Sequence, residues 1–234
     1  MTTYLAVAAH PDDLDFGCAG TTASLTAAGD RVVYCLVTDG QAGGFDNTIT
    51  RAEMAEIRRK EQTAAAAVVG VTELHWLGFP DGAVEAGLPL RKAITRVIRE
   101  VKPDVVITQS PDRNYARRIF GSHPDHRAVG DSTLDAVYPD SRNEFAFPEL
   151  LADEGLEPHT VAETWLIGGP RADHAVDITA FMEAKIEALL CHESQMQAPD
   201  EMPEMLRTWA REQAEASGLD EGRYAERFRR LQTA

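Results

Sequence analysis

Apolar residues along this chain fall into short continuous runs, separated by longer segments in which apolar positions recur at helical spacing. The runs that predict buried strands are residues 4–9, 31–38, 73–77, 104–108 and 163–167. The segments that predict helices between them are about residues 20–28, 51–69, 90–101 and 125–138. Strand and helix alternate, and continuous apolar strands are typical of a sheet covered on both faces. The pattern therefore predicts a Rossmann-like α/β fold, a three-layer αβα arrangement around a mostly parallel sheet.

After Pro139 the alternation weakens, and two further helices are predicted at about residues 176–191 and 205–230. A chain of 234 residues suits a single domain with one substantial core. We therefore expect one domain over residues 1–234, with a mainly helical C-terminal part from about residue 176.

The charge balance excludes two classes of partner. Thirty-eight acidic residues against 23 Lys and Arg give a formal net charge of −15, whereas nucleic acids and anionic lipids attract basic surfaces.

No apolar run approaches the roughly 18–20 residues of a membrane span. The three cysteines are scattered, which favours neither a disulfide framework nor a thiolate zinc site. With no secretory signal visible, we expect a cytoplasmic protein that binds neither nucleic acid nor membrane.

Two similar tetrapeptides follow the first and fourth predicted strands: His10-Pro11-Asp12-Asp13 and His123-Pro124-Asp125-His126. Taken singly, each is more typical of a turn with an Asp-capped helix than of a site. In a sheet of strand order 3-2-1-4-5, however, strands one and four are neighbours at the switch point where ligands bind. Right-handed crossovers favour that order. The topology therefore predicts that the two motifs form one site.

The combined donor set suits a divalent metal ion that activates water. Imidazole favours zinc over magnesium, and catalytic zinc keeps three protein ligands and one open position. Two histidines and one carboxylate would serve as ligands. A remaining carboxylate could act as general base, and a remaining histidine could stabilise an oxyanion. Iron(II) accepts the same donors.

These motifs resemble those of the PIG-L/LmbE-like zinc-dependent N-deacetylases, whose members act on N-acetylglucosamine conjugates, thiol-cofactor precursors and chitobiose. The resemblance covers most of the chain. Besides the two tetrapeptides, it rests on Gly20-Thr21, Arg58-Arg59-Lys60-Glu61, Leu77-Gly78-Phe79-Pro80-Asp81-Gly82, Val176-Asp177-Ile178-Thr179, and Lys185 ahead of His192-Glu193-Ser194-Gln195. It implies removal of an N-acetyl group from an amino sugar or its conjugate, and relatives' behaviour favours a homo-oligomer.

Carried over by position, the resemblance implies three zinc ligands, which are His10, Asp13 and His126. It implies Asp12 as the general base. It also implies that His123 stabilises the tetrahedral intermediate while Asp125 polarises it.

The resemblance further implies that Arg58 and Asp81 contact the sugar. His192 is implied at an active site, either that of its own chain or that of a neighbouring subunit. A structural alternative for His192 is a helix-terminal residue, where a cation suits the helix dipole.

Two other functions stay open. The same metal site could hydrolyse a related amide, such as a thiol conjugate or a longer N-acyl group. Arg113, Arg117 and Arg118 could then recognise an anionic substrate group, or they could be solvated surface charges. The second alternative is a binding module that keeps the fold without the chemistry, and the metal content of the purified protein distinguishes it.

Overall fold

The structure is a computed structural model that describes residues 1–115 and 122–234. Within these residues, the strands of the fold are β1 (Thr3–Ala8), β2 (Arg31–Thr38), β3 (Leu74–Phe79), β4 (Val105–Gln109), β5 (Glu163–Ile167), β6 (His174–Asp177) and β7 (Ala225–Gln232). The helices are α1 (Asp13–Ala27), α2 (Arg51–Val68), α3 (Leu88–Val101), α4 (Pro124–Val137), α5 (Pro148–Ala152), α6 (Met182–Leu190) and α7 (Met202–Glu215). None of the helices in these two ranges is long and apolar enough to cross a membrane.

The strands form one sheet in the order β3-β2-β1-β4-β5-β7-β6. The first five of these strands pair in parallel, and β7 pairs antiparallel with both β5 and β6. Side chains of β1 alternate between two cores. Ala6 and Ala8 pack with α1, α2 and α6, whereas Leu5 and Val7 pack with α3 and α4. The predicted αβα architecture and the adjacency of strands one and four are confirmed.

The C-terminal part differs from its predicted, mainly helical form. The helix predicted from residue 176 begins at Met182, because residues 174–177 extend the sheet as β6. Asp177 ends this strand by accepting hydrogen bonds from the backbone N–H (2.9 Å) and the hydroxyl (2.5 Å) of Thr179. Such an Asx turn competes with helical backbone pairing.

The helix predicted over residues 205–230 is wrong in its second half. Helix α7 ends at Glu215, and Gly218 has a φ of 75°, a conformation that commonly terminates helices. The charged residues beyond it form strand β7, because each finds a partner on a neighbouring element. Arg230 pairs with Glu163 of β5, and Glu226 pairs with Lys185 of α6.

Helix α1 begins at Asp13, earlier than the start near residue 20 that the sequence predicts. The helix is broken at Cys18, whose φ of −151° and ψ of 17° are not helical. Residues 13–17 and 19–27 are therefore two helical segments joined at this break.

Helix α4 approaches the end of β4 closely enough to require a glycine. A Cβ added to Gly130 would lie 2.2 Å from the backbone oxygen of Gln109. This contact holds α4 beside the carboxyl end of β4, next to the end of β1.

Candidate active site

The two tetrapeptide motifs meet at the carboxyl ends of β1 and β4. Asp12 occupies the N-cap position of α1 and His123 caps α4 with its side chain, so both helices begin at the same crevice. The imidazole centroids of His10, His123 and His126 lie 5.0–5.2 Å apart. The structure thus brings the motifs together as the strand order predicts.

Donor atoms of the three predicted metal ligands face one another. His10 Nδ1 lies 3.3 Å from Asp13 Oδ2 and 3.3 Å from His126 Nε2, and His126 Nε2 lies 3.0 Å from Asp13 Oδ1. A tetrahedral ion with ligands at about 2.0–2.2 Å requires ligand atoms roughly 3.3–3.5 Å apart. The residues present therefore fit a metal ion. His123 also lies within reach, since one donor atom from each of the three histidines falls within 4.8 Å of the others.

The second ring nitrogen of His10, Nε2, contacts two carboxylates. It lies 3.1 Å from Asp81 and 3.2 Å from Asp125. Nε2 therefore carries a proton, and a metal ion would bind at Nδ1 in place of the second proton of the imidazolium form. Metal-binding histidines are commonly oriented in this way by a carboxylate. Burial lowers the pKa of His10, but hydrogen bonds to Asp125, Asp13 and Asp81 outweigh it and raise the pKa to about 12.

Asp125 contacts His10 through its side chain and His123 through its backbone, and its implied role of polarising His123 stays a prediction. Its buried carboxylate contacts His10 and accepts a 2.7 Å hydrogen bond from the backbone N–H of Gly82. The link to His123 runs through the backbone, because the Asp125 N–H donates to His123 Nδ1 at 3.2 Å. This bond assigns the proton of the neutral His123 ring to Nε2. Burial, together with His10 and His126, lowers the pKa of His123 and favours that neutral form.

Asp12 has a strained backbone and a perturbed carboxyl group. Its φ of 78° is left-handed, which costs an amino acid with a side chain of order 1–3 kcal/mol and is typical of functional sites. Its N–H donates to Gln62 at 2.8 Å, and its carboxylate accepts from Arg58 at 3.1 Å. Burial raises the pKa of Asp12 to about 6, against the lowering effect of Arg58 and with a further contribution from Asp13. A carboxyl group with this pKa can exchange protons near neutral pH.

Arg58 and Asp81 are largely buried around the crevice. The Arg58 guanidinium donates to the backbone oxygens of Gly40 (3.0 Å) and Pro11 (2.6 Å) as well as to Asp12. Gly40 has a φ of +66°, and a Cβ there would lie 2.4 Å from Arg58. Asp81 accepts a 2.8 Å hydrogen bond from the N–H of Ala42 and also contacts His10. It therefore connects the loop that contains Gly40 and Ala42 to His10. Contact of either side chain with a sugar stays a prediction.

His192 is fully buried behind the first turn of α1. Its Nε2 lies 2.9 Å from Asp15, and the same Asp15 oxygen accepts from Gln62 at 2.8 Å. The ring is thus enclosed by its own chain, and its proposed contact with substrate stays a prediction. Of the arginines predicted to recognise an anionic group, Arg113 is exposed, and Arg117 and Arg118 lie outside the described residues.

Sequence reasoning missed the carboxylate shell around His10 and the tie between Gln62 and Asp12. The loop motif containing Asp81 was a signal for the first, because it follows β3 at the same edge of the sheet. Gln62 lies in the middle of an alanine-rich helix, and nothing in its local pattern distinguishes it.

A parallel α/β sheet with His and Asp side chains that could hold a metal ion at its switch point, beside a carboxyl group and an imidazole donor, suits metal-dependent hydrolysis. The family model described as GlcNAc-PI de-N-acetylase, PIG-L, matches residues 5–137. This match covers more than half of the chain, and the chain belongs to that family. The family resemblance noted in the sequence is confirmed.

Individual relatives are similar over nearly the whole chain. A diacetylchitobiose deacetylase of Thermococcus kodakarensis is 34% identical over 226 residues, which cover 96% of this chain and 81% of the relative. A mycothiol S-conjugate amidase of Streptomyces coelicolor is 27% identical, with 82% of each chain covered. The structure of N,N'-diacetylchitobiose deacetylase from Pyrococcus horikoshii, complexed with an inhibitor, superposes with a TM-score of 0.89 at 32% identity and covers 99% of this chain and 84% of that one.

Proposed function

We propose that this protein is a metal-dependent hydrolase that removes the N-acetyl group from a small amino sugar or its conjugate. The observation that carries the proposal is the placement of Asp12 and His123 beside the ligand set of His10, Asp13 and His126. Membership of the de-N-acetylase family supports the same reaction.

We propose Zn²⁺ as the resident ion, because two imidazoles and one carboxylate are its usual catalytic ligands, and Fe²⁺ is the alternative that the same donors accept. When bound, the ion would lower the pKa of a water molecule and polarise the amide carbonyl. His10, Asp13 and His126 would hold it, and Asp81 and Asp125 would orient His10.

The chain's own groups would then move the protons. Asp12 accepts a proton as water attacks the acetyl carbon, and it returns that proton to the departing amine nitrogen. Its raised pKa suits both steps. His123 donates from Nε2 to the oxygen of the tetrahedral intermediate, because its Nδ1 is occupied by the Asp125 N–H. Arg58 fixes the Asp12 carboxylate in place.

Replacing Asp12 by Asn tests this mechanism. Asp12→Asn keeps the size of the side chain but removes the base, so we expect one bound metal ion per chain and a kcat about 10²–10⁴ lower. Metal content by atomic spectroscopy and turnover of an N-acetylated chitobiose provide the measurements. Asp200→Asn, at an exposed site, is the matched control and should leave both unchanged. A near-normal rate in Asp12→Asn contradicts the role of this residue.

A second candidate is hydrolysis of a thiol conjugate or of a longer N-acyl amide, and the similarity to a mycothiol S-conjugate amidase favours it. A substrate panel separates the candidates. It compares N-acetylated sugars with N-propionyl analogues and with cysteinyl amides of an amino sugar. Adding carboxylated and phosphorylated sugars tests recognition by Arg113, Arg117 and Arg118. A preference of at least tenfold in kcat/KM for one class would assign the substrate.

Three further parts of the proposal concern substrate contacts and assembly. We retain Arg58, Asp81 and His192 as residues for substrate contact, and a homo-oligomer in the cytoplasm as the form of the protein. The oligomer can be tested by light scattering of the purified chain.

A further inference from the structure

The break in α1 leaves backbone groups without helical partners inside the protein. Helical pairing stops at Cys18, so carbonyls at the end of the segment 13–17 and N–H groups at the start of the segment 19–27 need other partners. These groups are buried, and an unpaired buried polar group destabilises a fold. Partners for both sides of the break are supplied from elsewhere in the chain.

A buried ion pair supplies these partners. Lys185 of α6 donates to the carbonyl oxygens of Asp15 (3.0 Å) and Phe16 (2.6 Å). Glu226 of β7 accepts from the N–H groups of Gly20 (3.1 Å) and Thr21 (2.7 Å). The two charges lie 2.6 Å apart, and their side chains are only 3% and 5% exposed.

The signs of the two charges match the two helix ends that they face. A cation suits the carbonyl end of one helical segment, and an anion suits the N–H end of the next. Hydrogen bonds of this kind, with an ionised partner, are stronger than neutral ones. The pair therefore fixes the relative position of the two segments of α1.

The first segment has the greater need of such support. Residues 13–17 are too few to be stable as an isolated helix, yet this segment carries Asp13 and continues directly from Asp12. The second segment packs tightly against Ile178, because a Cβ at Gly20 would lie 2.7 Å from that side chain. The short first segment is thus held against the tightly packed second segment. Lys185 connects the two, because it binds the first segment directly and the second through Glu226.

We propose that Lys185 and Glu226 are positioning residues for the active site, which hold the first turn of α1 so that Asp12 and Asp13 face His126 and the metal. The kinetic part of this inference rests on the proposed function, but the metal-binding part does not. Neither residue touches the crevice residues His10, His123 or His126 in the contacts of the described chain.

The test replaces both charges at once. A single substitution leaves one buried charge unpaired and strongly destabilises the fold, whereas removing both is often tolerated. The variant Lys185→Met/Glu226→Gln is therefore the informative one. Lys92→Met/Glu149→Gln, which removes a more exposed pair at 2.5 Å, is the matched control.

Two readouts separate positioning from general stability. Co²⁺ affinity, measured by competition with a chromophoric chelator, and the Co²⁺ absorption spectrum report on the ligand geometry without substrate. Steady-state kinetics report kcat and KM. We expect the double variant to unfold cooperatively, to bind Co²⁺ at least about 10-fold more weakly and to lose about 10–100-fold in kcat, the range typical for residues that orient metal ligands. KM should stay within threefold, and the control pair should match the unmodified protein.

A second variant covers the case in which the double variant does not fold. Glu226→Asp keeps the charge but shortens the side chain by one methylene, so we expect weaker Co²⁺ binding and lower kcat at unchanged KM. Unaltered Co²⁺ affinity, spectrum and kcat in whichever variant folds would overturn the proposal. If the unmodified protein binds Co²⁺ but fails to hydrolyse any N-acetyl substrate, the proposed function fails while the Co²⁺ measurement still tests the positioning role.

Discussion

Two histidines one turn apart in α4 have different partners and therefore different chemistry. His126 directs Nε2 at Asp13 and His10, within the proposed ligand set. His123 has Nδ1 occupied by a backbone N–H, which leaves its Nε2–H as a donor. The same division holds in the first motif, where Asp13 faces the histidines while Asp12 is held by Arg58. Similar sequence at the two motifs thus does not mean a similar role.

Replacing each histidine by alanine should separate these roles. His126→Ala removes a ligand, so we expect metal affinity to fall by more than about 100-fold, beyond the loss typical of an orienting residue. His123→Ala removes only an oxyanion donor, so we expect the metal to stay and kcat to fall about 10²–10³-fold. Equilibrium dialysis with Zn²⁺ and steady-state kinetics measure the two effects.

The control for this pair is His75→Ala, because His75 lies in β3 and contacts Glu73. It should leave both metal affinity and kcat unchanged. Loss of metal from His123→Ala, or retention of metal by His126→Ala, would contradict the assignment.

At the scale of elements, the C-terminal strand depends on charged contacts. The Glu163 carboxylate of β5 accepts hydrogen bonds from Arg230 (2.7 Å to Nε), Gln232 (3.1 Å) and Trp165 (3.1 Å). The hydrogen bonds from Arg230, with those from Trp165 and Gln232, lower the pKa of Glu163 from 4.5 to about 2 against the opposing effect of burial. β7 therefore joins the sheet through an ion pair as well as through its buried residues Ala225 and Phe228.

This arrangement predicts a pH-dependent stability. The folded pKa of Glu163 lies below its unfolded value, so its contribution is present above pH 4.5 and disappears as the pH falls toward 2. Glu163→Gln should therefore unfold at lower urea concentration than the unmodified chain at pH 7, and the difference should shrink steadily between pH 4.5 and 2.5. Glu221→Gln, at an exposed position, should show no such trend. A difference that is constant with pH would refute the role of the ion pair.

The sequence predicted the parallel elements well because their pattern is local. Strands β1, β2, β4 and β5 are apolar runs bounded by polar loops, and their order follows from right-handed crossovers. Strand β7 and the start of α1 could not be predicted in this way. The pattern around Glu226 and Arg230 predicts a solvated helix. These residues lie in a strand because their charges pair with distant partners, Lys185 and Glu163.

The site was predictable to a similar degree. Donor types and strand order sufficed to bring His10 and His126 together. The orientation of each ring could not be predicted from the sequence, because it depends on contacts such as that of Asp81 with His10 and that of the Asp125 N–H with His123. These contacts join loops after three different strands, and periodicity carries no information about them.

For the whole molecule, the crevice concentrates negative charge in a chain whose net charge is already −15. Asp13, Asp81 and Asp125 all surround His10. Like charges held together in this way repel one another, and a divalent ion bound among them would offset that repulsion more fully than the His10 imidazolium does. The predicted ligands also come from the starts of α1 and α4, so a bound ion would connect two halves of the sheet.

Metal binding should therefore stabilise the entire fold. An ion that binds only the folded chain, at a free concentration of about a thousand times its Kd, raises the free energy of unfolding by about 4 kcal/mol. We expect dialysis against a chelator to lower the urea midpoint and added Zn²⁺ to restore it. Mg²⁺ is the matched control and should have no comparable effect, since it prefers all-oxygen ligands. The increment should vanish in His126→Ala and persist in His123→Ala. Equal stabilisation of both variants would mean that the ion binds elsewhere, because only His126 belongs to the proposed ligand set.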